Sequence, residues 1–132
     1  MHIGMIRGIG FAGALLLASN TVHAQQIERQ EWMDFMLTVL PSAFCDSRQY
    51  FRQCFDISAD LCVDTARVAT RNCLSQYEGR LPALLQQPRD GQRWGEQIGQ
   101  CAGLSFETAL NDRLKNTALC QDADYWVRQM QR

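Results

Sequence analysis

The sequence predicts an all-α protein: a small disulfide-stapled helical bundle of four to five helices. Apolar residues recur at the three- and four-residue spacing of a buried helix face, and β-branched residues are few. Glycine, which weakens helices, is scarce between residue 24 and Gly79. The chain also carries 6 cysteines, an even number that is typical of a disulfide framework in a small exported protein.

Residues 1–24 are predicted to be a secretory signal peptide. Arg7 is the only charged residue before an uncharged apolar run from Ile9 to Ala18, and Val22-His23-Ala24 has the small-x-small pattern of a cleavage site. The run is too short to span a bilayer, and no later apolar stretch approaches that length. We therefore predict a single helical domain, residues 25–132, located in the periplasm or secreted, without a transmembrane segment.

Charge and the positions of the histidines narrow the possible functions. The sequence has 13 Lys and Arg residues, and loss of Arg7 leaves 12 against 14 acidic residues, which argues against a nucleic-acid partner. His2 and His23 would both leave with the signal peptide, so a catalytic histidine or a histidine metal site is not expected. We predict no catalytic residue, no metal and no cofactor, and favour a non-enzymatic function over that of an enzyme.

The first three helices follow from apolar spacing and from residues that start or stop helices. Helix one is predicted from Ile27 to Leu40, where Pro41 ends it. Helices two and three, about residues 47–55 and 59–77, form an antiparallel helical hairpin, and Ser58 caps the start of helix three.

A connector with two prolines precedes the last two helices. Helix four is predicted from Gly91 to about Leu114, with Asp90 as its N-cap. A final helix is predicted through Tyr125, Trp126 and Met130, with Asp122 as its N-cap.

The predicted hairpin suggests how the cysteines pair. Facing residues of an antiparallel hairpin have numbers with a constant sum, and Cys54–Cys62 and Cys45–Cys73 satisfy this at nearly one register. The remaining pair is Cys101–Cys120, between helix four and the last helix. This scheme needs a break in helix two at Asp46-Ser47, because one continuous helix would place Cys45 and Cys54 on opposite sides.

The segment GQRWGEQIGQCAG repeats glycine every fourth residue, at Gly91, Gly95, Gly99 and Gly103, here called the glycine row. Each interior glycine costs a helix about 1 kcal/mol relative to alanine, so another element is expected to approach the bare backbone closely. That element is either a helix of the same chain or a partner helix, for which Trp94 would be the anchor residue.

Two other groups of charged residues are candidate sites. Glu96 and Glu107 share one face of helix four but lie about 16 Å apart along it, further than the carboxylates of glycosidases. Two pairs of arginines at helical spacing are expected to form a solvated face rather than an anion site; they are Arg48 with Arg52, and Arg67 with Arg71.

These observations lead to three hypotheses of function. The first is an exported, non-enzymatic helical protein that binds a protein partner, as an immunity or inhibitor-type protein or an envelope accessory protein. The second is a small envelope hydrolase that uses carboxylates alone. The third is a structural subunit of an envelope complex, in which the glycine row packs between subunits, including those of a homodimer.

Overall fold

The computed structural model describes residues 25–132, so the predicted signal peptide lies outside the described residues. The predicted disulfide-stapled helical bundle is confirmed for this part of the chain. Two short strands and six helices follow one another, with 3₁₀ turns at Glu78–Arg80 and Asn111–Arg113. The elements are β1 (Gln26–Glu28), α1 (Arg29–Phe44), α2 (Tyr50–Gln53), α3 (Ala59–Tyr77), β2 (Leu84–Gln86), α4 (Arg89–Ala109), α5 (Ala118–Gln121) and α6 (Ala123–Met130).

Helix α3 lies at the centre of the fold and packs against α1 on one side and α4 on the other. It begins where the sequence predicts, because the Ser58 hydroxyl accepts a hydrogen bond from the Leu61 N–H at 3.1 Å. Its inner face is buried as expected, with Cys62, Ala66 and Cys73 fully excluded from solvent. The helix thus supplies the common wall of the core.

Helix α1 differs from the prediction at both ends. It begins at Arg29 and continues through Pro41 to Phe44, although a helix end was expected at the proline. A proline removes the hydrogen bond that its own N–H would donate and crowds the carbonyl four residues before it, but the bonds after it can still form. Here the Cys45 N–H donates to the Pro41 carbonyl at 3.1 Å. Pro41 is buried, so packing compensates for the lost bond.

A two-stranded antiparallel sheet was not predicted. Strand β1 pairs with β2 so that Ile27 lies opposite Leu85, and the pairing is extended by a hydrogen bond from the Gln87 N–H to the Gln25 carbonyl. Leu85 is fully buried. The expected connector between α3 and α4 is therefore an ordered strand that fixes the start of the domain.

The buried side chains form two clusters. The first lies between α1, α3 and α4 and includes Trp32, Leu74 and Ile98. The second lies towards the C-terminal end of the domain and is largely aromatic, with Phe55, Phe106 and Trp126 at its centre. The two rings of Phe55 and Phe106 meet edge to face at 5.4 Å between centroids.

All three predicted disulfide pairings are wrong. The predicted bonds were Cys45–Cys73, Cys54–Cys62 and Cys101–Cys120. The structure joins different partners, with Cα separations of 5.9, 5.4 and 5.9 Å in chain order. The observed bonds are Cys45–Cys62, Cys54–Cys120 and Cys73–Cys101.

The pairings were wrong because the predicted hairpin of helices two and three does not form. Helix α2 is a single turn, Tyr50–Gln53, too short to set a register against α3. Cys45 instead ends α1, whose last turn meets the first turn of α3 at Cys62. The long packed pair is α3 with α4, which brings Cys73 beside Cys101.

Beyond α4 the chain returns to the second cluster. Helix α4 ends at Ala109, earlier than predicted, and Leu114 then pairs with Phe55 in an isolated antiparallel bridge. The predicted Asp122 cap is present, since its carboxylate accepts from the Tyr125 N–H at 2.9 Å. Among residues 25–132, none of the helices combines the length and apolar character needed to span a bilayer.

Candidate binding surface

Helix α4 carries the residues singled out as a partner surface, and Asp90 fixes its start. Asp90 lies in the first turn rather than at the cap, and its carboxylate accepts from the Gln86 N–H at 2.7 Å. This bond, followed by the one from Arg89, holds the pKa of Asp90 below its usual value. The carboxylate therefore ties the end of β2 to the start of α4.

The glycine row meets other side chains at three positions, with Gln87 against Gly91, and is open at the fourth. A Cβ placed at Gly95 would lie 3.9 Å from Met36 Cε of α1, and one at Gly103 would lie 3.7 Å from Phe51 Cζ of α2. At Gly99, no heavy atom of another described residue lies within 4 Å of that position, apart from chain neighbours and the helix backbone. The row thus passes α1 at Gly95 and α2 at Gly103, and the open position between these two contacts is here called the Gly99 groove.

Trp94 does not protrude into solvent as a partner anchor would. It belongs to the first core cluster and is only 9% exposed. Its ring meets Tyr77 of α3 edge on, with centroids 6.3 Å apart. Trp94 therefore joins α4 to the end of α3, and only its edge reaches the surface.

Two arginines that the sequence did not single out stack on this aromatic pair. The guanidinium carbon of Arg80 lies 4.3 Å from the Tyr77 ring centroid, and that of Arg93 lies 5.2 Å from the Trp94 ring centroid. Both arginines are exposed. The spacing of Arg80 three residues after Tyr77 is a weak sequence signal, since the contact between Tyr77 and Trp94 depends on the packing of α3 against α4.

The carboxylates of the hydrolase hypothesis lie in different surroundings. Glu96 is exposed and accepts a 3.5 Å hydrogen bond from Gln100. Glu107 lies beside Tyr50, where burial first and this carboxylate second raise the pKa of the tyrosine to about 12. Within residues 25–132, no group of three or more His, Cys, Asp or Glu side chains is placed to hold a metal ion.

The arginines expected to form a solvated face have partners within the chain. Arg48 pairs with Asp46 at 3.1 Å, and Arg67 pairs with Asp64 at 3.5 Å. Arg52 donates to the Cys45 carbonyl at 3.3 Å, at the C-terminal end of α1. Three of the four arginines are therefore engaged locally.

Fold and surface together define a small helical scaffold that is cross-linked by three disulfides, with no free cysteine among the described residues. Residues 26–115 match the family described as T2SS substrate NttA, where T2SS is the type II secretion system. The chain belongs to this family. The prediction of an exported protein is thereby confirmed. Neither the curated proteins nor the solved structures contain a match to the chain.

The family match covers most of the domain but ends before its last two helices. It includes both cysteines of Cys45–Cys62 and of Cys73–Cys101, whereas Cys120 lies beyond residue 115. The C-terminal segment, with α5 and α6, is therefore attached to the matched region by the Cys54–Cys120 bond.

Proposed function

We propose that this exported protein acts by binding another protein, and that the Gly99 groove receives part of that partner. The observation that carries the proposal is the open position at Gly99. A glycine in the middle of a helix costs about 1 kcal/mol relative to alanine, and a protein retains such a cost where close approach requires it.

The neighbouring glycines differ from Gly99 because each already lies beside a side chain of another helix. Met36 of α1 packs over Gly95, and Phe51 of α2 packs over Gly103. Gly99 lies one turn from each of them and has no such neighbour among residues 25–132. The chain itself therefore covers the row at Gly91, Gly95 and Gly103, and Gly99 is the position open to a partner.

The walls of the groove favour an apolar group on the partner. Met36 and Phe51 bound the open position along α4, and Leu40 follows Met36 by one turn on α1 and is half-buried. A side chain inserted there would exchange water for contact with apolar atoms, which contributes about 25 cal/mol per Å² buried. A protruding Leu, Ile or Met side chain of a partner helix or loop fits this description.

The disulfides support a binding role because they hold the walls of the groove in place. Cys73–Cys101 joins α3 to α4, and Cys45–Cys62 joins the end of α1 to α3. A groove fixed in this way loses little conformational entropy when a partner binds. By contrast, Glu96 and Glu107 lie about 16 Å apart along one helix, too far apart for paired carboxylate catalysis.

The test uses Gly99→Leu, which fills the groove without altering charge. We expect the variant to fold and to lose the partner that the wild-type protein retains from medium or envelope extracts. The matched control is Gln100→Leu, which places the same side chain on an exposed position one residue later. Equal retention by wild type and Gly99→Leu would refute the proposal.

Light scattering on the purified proteins tests whether the partner is a second copy of the chain. If the groove mediates a homodimer, the wild-type mass falls to that of a monomer in Gly99→Leu and remains unchanged in Gln100→Leu. If the wild-type mass is that of a monomer, the partner is a different protein.

A further inference from the structure

We propose that Arg80 and Arg93, stacked on the Tyr77–Trp94 pair, bind an acidic segment of a polypeptide through its carboxylates. The four side chains come from the end of α3, the turn after it and the start of α4. This surface is distinct from the Gly99 groove, because the helical period puts Arg93 about 120° around α4 from Gly99. The inference stands independently of the proposed function.

The two arginines differ from most other exposed arginines by lacking an ion pair. Arg48, Arg67, Arg89 and Arg113 each pair with an aspartate within three residues in sequence. Among residues 25–132, neither Arg80 nor Arg93 forms an ion pair with a carboxylate at that distance. Their charge is therefore available to another molecule.

Stacking orients both groups for binding. A guanidinium over an aromatic face, as at 4.3 Å for Arg80 and 5.2 Å for Arg93, keeps its N–H edge free to donate two parallel hydrogen bonds to one carboxylate. Because the side chain is already held by the ring, less rotamer entropy is lost on binding.

One short peptide can reach both cations. Each guanidinium stacks on its own ring, and the ring centroids of Tyr77 and Trp94 are 6.3 Å apart. At roughly 3.3 Å per residue, an extended peptide needs no more than about five residues to reach from one arginine to the other. Two carboxylates on such a segment can each meet one arginine.

Nearby acidic groups leave the hydrogen-bond donors of the two arginines free. Asp90 is one turn before Arg93 and interacts with its charge, but its carboxylate accepts hydrogen bonds from the Gln86 N–H and from Arg89, at 2.7 and 3.2 Å. Glu78 in the turn beside Arg80 and Glu96 one turn after Arg93 are exposed carboxylates that a ligand would have to displace or avoid.

The test is binding of a fluorescent peptide of alternating Glu and Gly to the disulfide-intact protein at low ionic strength, followed by anisotropy. Arg80→Gln and Arg93→Gln are each expected to weaken binding about tenfold, as for a lost charge-assisted bidentate contact. Arg113→Gln removes the same charge from an exposed arginine that pairs with Asp112, and is expected to change binding by less than about twofold.

Four outcomes would overturn the inference. An equal loss in Arg113→Gln would mean that net charge alone attracts the peptide. Competition by inorganic phosphate as strong as that by unlabelled peptide, or preferential binding to vesicles containing phosphatidylserine, would assign the surface to another anion. Full affinity in Arg80→Lys and Arg93→Lys, which keep the charge, would show that stacking and the bidentate fork play no part.

Discussion

Cys54 and Cys120 are 66 residues apart in sequence, yet their Cα atoms lie 5.4 Å apart in the fold. Cys54 is fully buried at the end of α2, and Cys120 is half-buried in α5. Their bond joins the C-terminal segment to the region that matches the family. It is also the longest-range of the three disulfides, which makes it the strongest constraint on the unfolded chain.

Removing this bond is expected to destabilise the protein more than removing Cys45–Cys62. Loop-closure entropy gives about 4 kcal/mol for a loop of 66 residues and about 3 kcal/mol for one of 17. The double variants Cys54→Ala/Cys120→Ala and Cys45→Ala/Cys62→Ala, compared by urea denaturation under identical conditions, test this order. A larger loss for the shorter loop would show that native packing around Cys45, rather than the unfolded chain, dominates.

Those parts of the fold that depend on local signals could be predicted from the sequence. Helix α3 was located correctly because Ser58 supplies a cap and its apolar positions keep one helical period over the whole length. The last helix was found through the Asp122 cap in the same way. Both signals act within a few residues, so no tertiary contact was needed to recognise them.

Long-range features were beyond the sequence, and the disulfides are the clearest case. Their pairing depends on which helices pack against each other. Because α1 continues through Pro41, Cys45 lies at the end of α1 and not in the predicted hairpin. Strand β1 was missed because its partner β2 lies more than fifty residues later. The stacked Arg80 and Arg93 were missed for the same reason, since Tyr77 and Trp94 meet only when α3 packs on α4.

Gly99→Ala is expected to raise the free energy of unfolding by about 1 kcal/mol. Alanine is the better helix former, and its Cβ would enter open space at this position. Gly95→Ala and Gly103→Ala are expected to stabilise as well, because their new Cβ atoms would lie at ordinary contact distance, 3.9 and 3.7 Å from the nearest side chain. Urea denaturation measures all three.

A destabilised Gly99→Ala would contradict this account, since it would reveal an internal contact at the groove. The matched reverse change is Ala102→Gly, on the buried face of the same helix, which is expected to lower stability. Together the variants separate helix propensity from the occupancy of the groove.

Tyr50 is expected to make stability fall in alkaline solution. Its pKa is raised from 10.0 to about 12 in the folded protein by burial and by Glu107, so the folded state holds the proton longer than the unfolded state. The stabilisation is fully present below pH 10 and is lost as the pH rises towards 12. Ultraviolet absorbance of tyrosinate should show one late ionisation, which disappears in Tyr50→Phe.

Glu107→Gln provides the control for this titration. It removes the negative charge beside Tyr50 but leaves the tyrosine buried, so the late ionisation is expected to move to lower pH without reaching the ordinary value. An unchanged titration in Glu107→Gln would mean that burial alone is responsible for the shift.

Trp126 is expected to hold α6 in cooperation with the Cys54–Cys120 bond. The ring is 7% exposed, packs 5.6 Å from Tyr50 between centroids, and donates its Nε1–H to the Leu119 carbonyl at 2.9 Å. Trp126→Ala should cost about 3–5 kcal/mol, whereas Trp126→Phe, which keeps a ring but loses the hydrogen bond, should cost about 1 kcal/mol.

The same substitution in the Cys54→Ala/Cys120→Ala background separates two roles for the tryptophan. If the disulfide and Trp126 hold the same segment, α6 is already loosened without the bond, and Trp126→Ala then costs less than in the wild type. Hydrogen exchange of the amides of residues 123–130 should become fast in the disulfide variant for the same reason. Additive costs and protected amides would show instead that α6 docks through Trp126 alone, and that the disulfide acts only on the unfolded chain.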